Sequence, residues 1–174
     1  MQKTSERGNS ARGGFTLTEI MVTLSIISLL VPGILGTFYY FAKAAYDGVD
    51  HNQNIAEARH FEQFFLRELS GANRDSPVIR KVGTSFFMQF SKVYTNGTSR
   101  QAWFLLAPTS NGGAPLYYKV AGKPRKLLLP KASLPTGSTE PFSISNGVPG
   151  FHLVVGDKQP VEISAFAAPK NPKL

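Results

Sequence analysis

Between Glu19 and Lys43 the chain runs for 23 residues without a charged side chain, and no other feature restricts its folding as tightly. At about 1.5 Å of helical rise per residue such a run reaches roughly 34 Å. That spans a hydrocarbon core of roughly 30 Å. Lys3, Arg7 and Arg12 precede the run, while Lys43, Asp47 and Asp50 follow it. Positive charge collects on the cytoplasmic side of a membrane span, so the N-terminus is expected inside and the remainder outside.

Two ordinary explanations compete for this segment. A cleaved secretory signal would use Ala42-Lys43-Ala44 as its small-residue site and release a chain starting at Ala45. Its apolar region, however, would measure roughly 7–15 residues. A plain signal anchor holding a periplasmic module is the second. Glu19 counts against both, because an ionisable group at the centre of a span costs roughly 2.5–3.5 kcal/mol, and less near the interface. A residue kept there calls for a partner. Cleavage ahead of Phe15 would supply one, a free amine with a pKa of roughly 7.7–8 that is largely charged at neutral pH.

The segment Arg12-Gly13-Gly14-Phe15-Thr16-Leu17-Thr18-Glu19-Ile20-Met21-Val22 resembles the processing site of type IV pilins and type II secretion pseudopilins. The resemblance implies a basic leader, residues 1–14, removed by a prepilin peptidase between Gly14 and Phe15. It also implies N-methylation of Phe15 and a role for Glu19 in assembly. The implied partners are other pilin or pseudopilin subunits, the peptidase and inner-membrane lipid. The implied setting is the bacterial inner membrane, crossed once, and then a filament. Thr18 is more polar than the family usually has at that position. Gly14 has its own physical reason, since a peptidase at a membrane face needs extended backbone without bulk before the cut. Pro32-Gly33 interrupts the apolar run, and the lost backbone donor predicts a kink or a melted turn there.

The reading divides the mature chain into a membrane and assembly helix over 15–42, an amphipathic continuation over 43–73, a β domain over 78–168 and a loose tail over 169–174. Ile55, Ala58, Phe61, Phe65, Leu69 and Ala72 recur at three- and four-residue spacing and form an apolar stripe. Glu57, Arg59, Glu62, Arg67 and Glu68 are expected off that stripe. Phe64 is also expected off it, facing a neighbouring subunit, and Gly71 is the expected stop. The stretch Phe61 to Ala72 is similar to the end of this helix in J-type minor pseudopilins.

From Val78 short β-prone runs alternate with turn residues: 78–82, 85–94, 101–106, 116–120, 126–129, 151–155 and 161–166. Asn96-Gly97, Asn146-Gly147 and Pro149-Gly150 are read as turns. The expected fold is α+β: a long N-terminal helix packed on an antiparallel sheet of six or seven strands, the pilin-like plan.

The sequence has no cysteine, which excludes disulfides and thiol nucleophiles. His51, His60 and His152 are too scattered for a metal motif, and no hydrolase or phosphate-binding signature is present. The C-terminal region offers only Asp157 and Glu162 where calcium-binding pseudopilins have an aspartate-rich loop. No catalytic residue, cofactor or metal is therefore expected. Residues 74–174 carry thirteen basic and four acidic side chains. Within them Lys119, Lys123, Arg125, Lys126 and Lys131 lie close together beside Tyr117 and Tyr118. Aromatics interleaved with cations can stack on bases while the cations meet phosphates. Lys119, Lys123, Arg125 and Lys126 are thus candidate nucleic-acid contacts, as in a DNA-binding minor pilin. A solvated hairpin face is the more ordinary reading, with only weak, salt-sensitive retention of DNA.

Overall fold

A computed structural model describes residues 14–108 and 113–169, so the expectations for the leader before Gly14 and for the tail beyond Pro169 lie outside the described residues. The chain forms one helix, α1 (Leu17–Ser70), followed by eight strands. These are β1 (Val78–Val82), β2 (Ser85–Val93), β3 (Ser99–Leu106), β4 (Ala114–Val120), β5 (Lys126–Ser133), β6 (Phe142–Ser145), β7 (Val148–Val155) and β8 (Val161–Phe166). It divides into two compact units, residues 1–45 and 46–174.

In the first unit every described residue is exposed. Leucine, isoleucine and phenylalanine side chains point outward all round the helix, as expected of a segment whose apolar partners are lipid or other helices. Pro32 lies within α1 and the helix does not break there, so the melted turn expected at Pro32-Gly33 is absent. Proline forfeits a single backbone donor, and a span in hydrocarbon has no water to solvate further freed groups. Hydroxyls bind back onto the helix on both sides: Thr23 Oγ1 donates to the Glu19 carbonyl at 2.7 Å and Thr37 Oγ1 to that of Gly33 at 2.9 Å.

The second unit contains the hydrophobic core. Ala58, Phe61, Phe64, Phe65 and Leu69 on the C-terminal part of α1 pack with Phe86, Met88, Phe90, Phe104, Leu116, Leu129, Phe151 and Leu153 from the sheet. Phe61, Phe65 and Phe104 are fully enclosed, with centroids of Phe65 and Phe104 5.0 Å apart. Phe64 is buried, not turned outward. Its ring meets Tyr118 edge-on at 5.0 Å, because the sheet covers a face wider than the narrow stripe read from the sequence. Glu68 is buried as well, contrary to its expected place off the stripe. Position 68 is one turn beyond Phe64 and so continues the same covered face.

All strand pairings are antiparallel, in the order β1-β2-β3-β4-β5-β7-β6, with β8 on the other edge of β7. The sheet curls enough to bring β6 near β1 and β2. Strand bounds 78–82 and 161–166 match the sequence reading. The eighth strand, β6, was not expected: it is four residues long and buries only Phe142. Strand β5 continues past the expected end because register shifts in its pairing with β4 absorb Pro130, which has no partner there. Asn146 (φ 52°) and Gly147 (φ 77°) form the two-residue turn between β6 and β7. Pro149-Gly150 is not a turn but lies inside β7. There the Phe166 ring of β8 crosses Gly150 so closely that a Cβ would sit 2.4 Å from Cδ1.

Candidate functional site

The residues singled out at the N-terminus form one local arrangement. Gly14 stands in open space, with no neighbour that a Cβ would meet. Nothing within the described fold therefore requires a glycine there. Phe15 is 83% exposed, and its nitrogen is an amide in this uncut chain.

Thr16 and Glu19 cap the helix reciprocally. The Thr16 backbone N–H donates to Glu19 Oε2 at 3.0 Å, as does Thr16 Oγ1 at 3.0 Å. In return the Glu19 N–H donates to Thr16 Oγ1 at 3.3 Å. This is a Thr-x-x-Glu capping box, and it places the carboxylate at the N-terminal end of the span, where the helix dipole favours negative charge. All of these bonds fall on Oε2. Among the described residues none reaches Oε1, which leaves one oxygen for an incoming cation. The Thr-x-x-Glu spacing in the sequence is the signal for this cap.

The basic cluster does not stay together. Lys119, Lys123 and Arg125 are exposed at the β4–β5 hairpin. Lys126 turns toward the core side, with Nζ 5.4 Å from the Phe64 centroid. Lys131 pairs with Asp157 at 2.5 Å, and that carboxylate raises the lysine's pKa. The two tyrosines part as well. Arg125 stacks over Tyr117 at 4.7 Å on the outer face, while Tyr118 points inward, as alternation along a strand demands.

Tyr118 belongs to a buried polar group that the sequence reading missed. Its hydroxyl donates to Glu68 Oε2, which also accepts from Lys92 Nζ at 2.5 Å. Burial, and then the hydrogen bond to Glu68, push the phenol pKa above its ordinary value. The three residues join α1, β2 and β4. The readable signal was the placement of Glu68 four residues after Phe64 and seven after Phe61. His152 and Glu162 pair on the exposed side of β7 and β8. Among the described residues no group of three metal-ligating side chains comes together.

An exposed apolar helix followed by a curled antiparallel sheet is a pilin-like α+β layout. Residues 9–31 match the family model of the prokaryotic N-terminal methylation motif, so the chain carries a type IV pilin-like prepilin signal. The family defined by that motif is structural, not enzymatic, and the motif implies processing by a prepilin peptidase and assembly with other pilins in general. No curated protein and no solved structure matches the chain.

Proposed function

We propose that this chain is a minor structural subunit of a type II secretion pseudopilus or a type IV pilus. It is held in the bacterial inner membrane with its N-terminus cytoplasmic and its β domain periplasmic. A prepilin peptidase cuts between Gly14 and Phe15, the new Phe15 amine is methylated, and the helix then moves from lipid into a filament. The observation that carries this reading is Glu19, four residues after Phe15 at the head of an apolar helical segment that is exposed throughout residues 17–45. Such a helix is stable only against lipid or other helices. Gly33, Gly36 and Gly48 support the same view, since no part of the described chain approaches them closely enough to require a glycine. Each costs the helix about 1 kcal/mol relative to alanine, and small residues let neighbouring helices approach.

In the filament, the Phe15 amine and Glu19, of one chain or of adjacent chains, would neutralise each other and set the axial register. Glu19→Ala should leave cleavage after Gly14 largely intact, because the residue lies a helical turn from the cut. Assembly should fail, since an unpaired buried charge costs roughly 3–5 kcal/mol. Thr16→Ala separates charge from capping: it keeps the carboxylate and loses only a cap of about 1 kcal/mol. The readout is the ratio of sheared filament to membrane-bound mature protein, or incorporation into a mixed filament. Full assembly of Glu19→Ala, or equal failure of both variants, contradicts the ion-pair role.

A further inference from the structure

The sheet carries apolar side chains on both faces. Its inner face meets α1 and should be so. On the outer face, register aligns Phe87, Leu105 and Tyr117 across β2, β3 and β4, and Leu127 of β5 extends the row. The next row places Gln89, Trp103 and Lys119 side by side. The outward face of an antiparallel sheet in water is ordinarily polar, and a contiguous apolar strip there marks a surface with a partner.

Two further observations say what kind of partner. The first is charge. Between Ser76 and Thr139 the chain has nine lysines and arginines and no aspartate or glutamate. Lys119 and Arg125 border the strip, and Arg80 lies beside Phe87 in the register of β1. Lys92 and Lys131 already meet Glu68 and Asp157, and strands β1 to β5 carry no carboxylate of their own. The second is shape. Phe87, Trp103, Leu105, Tyr117, Lys119 and Arg125 line a shallow cleft of about 250 Å³. Three of its six lining residues are flat rings, and one of these, Tyr117, already carries a planar guanidinium stacked at 4.7 Å.

We propose that the outer face of β2, β3 and β4 binds single-stranded nucleic acid, with Trp103 and Tyr117 as stacking platforms; Arg125 yields its place on the Tyr117 ring to an incoming base and, with Lys119, meets phosphates. The rings are diagonal neighbours on adjacent strands, a spacing of about 7–8 Å, so each can take its own base. A duplex keeps its bases stacked on one another and cannot offer them to these rings. An acidic peptide would satisfy the cations but has no planar groups for the cleft. The sequence cluster pointed here only in part. Lys123, Lys126 and Lys131 drop out, and Phe87 and Trp103, which lie on other strands, come in. The inference does not depend on the leader being processed.

Trp103 is the sole tryptophan, so its fluorescence reports this cleft alone. The test titrates the full chain, in detergent micelles, with an unstructured oligothymidylate. The expected result is quenching of Trp103 at low salt, with log affinity falling against log salt at a slope of about −1.4 for two phosphates on a single strand. Tyr117→Ala should weaken binding about tenfold, Tyr117→Phe should keep it, and both should melt with the parent because the ring is outward. Replacing Lys119 and Arg125 together by Ala should remove most of the salt dependence. The proposal is overturned if no quenching occurs, or if Tyr117→Phe loses as much as Tyr117→Ala. It is equally overturned if duplex DNA, a polyglutamate peptide or anionic lipid vesicles quench Trp103 as strongly as the oligothymidylate.

Discussion

Phe38 and Phe65 lie on the same helix and differ in nearly everything else. Phe38 is 70% exposed and Phe65 is fully buried. The difference separates two ways of using hydrophobic surface. Residues 46–174 bury theirs within the chain, against a curled sheet, and fold on that account. The described part of residues 1–45 buries none, so its apolar area remains available for lipid and for neighbouring subunits. The polar residues follow the same division. Glu68 finds its partners at Lys92 and Tyr118 within the domain. Among the described residues Glu19 meets Thr16, a local cap, and its Oε1 accepts no bond.

The sharpest way to break this comparison is to truncate both phenylalanines. Phe65→Ala should cost the domain about 3–5 kcal/mol, read as a large fall in melting temperature by near-ultraviolet circular dichroism. Phe38→Ala should leave that melting temperature unchanged and reduce filament incorporation instead. A comparable loss of melting temperature in both would erase the distinction. Glu68→Ala should follow at roughly 3 kcal/mol, since it strands the Lys92 charge and the Tyr118 hydroxyl. A neutral result in denaturant unfolding would mean that water already reaches the group.

The smallest expected effect is a pH dependence. The folded state raises the Tyr118 pKa through burial and its bond to Glu68, whereas an unfolded tyrosine ionises near about 10. Above that pH the unfolded chain loses a proton that the folded chain keeps, so stability is full below about pH 10 and declines above it. Tyr118→Phe should remove this part of the alkaline decline. An unchanged alkaline limb in the variant would assign the decline to other groups.

Local patterns were legible in the sequence and long-range pairings were not. The bounds of β1 and β8 follow from β-prone runs between turn residues, and the stripe from Ile55 to Ala72 follows from helical spacing. Strand β6 was hidden because four residues with one buried phenylalanine carry almost no periodicity. Pro149-Gly150 reads as a turn until Phe166 is known to cross it. Glu68 looked like a surface charge because its partners lie 24 and 50 residues away, a distance that no window on the sequence covers. At the N-terminus the methylation motif over residues 9–31 and the apolar run are both local, which is why they were legible in the sequence. The Thr16 cap is equally local, a Thr-x-x-Glu spacing within one turn.

The central claim is that Gly14-Phe15 is a cleavage junction and the helix after it an assembly element. Mass spectrometry of the N-terminus, on protein taken from membranes that contain the peptidase, tests it most directly. The account predicts a mature chain beginning at Phe15 and bearing one methyl group, with Gly14→Arg leaving the uncut precursor. A chain that retains Met1, one that begins at Ala45, or a Gly14→Arg variant processed like the parent would contradict it.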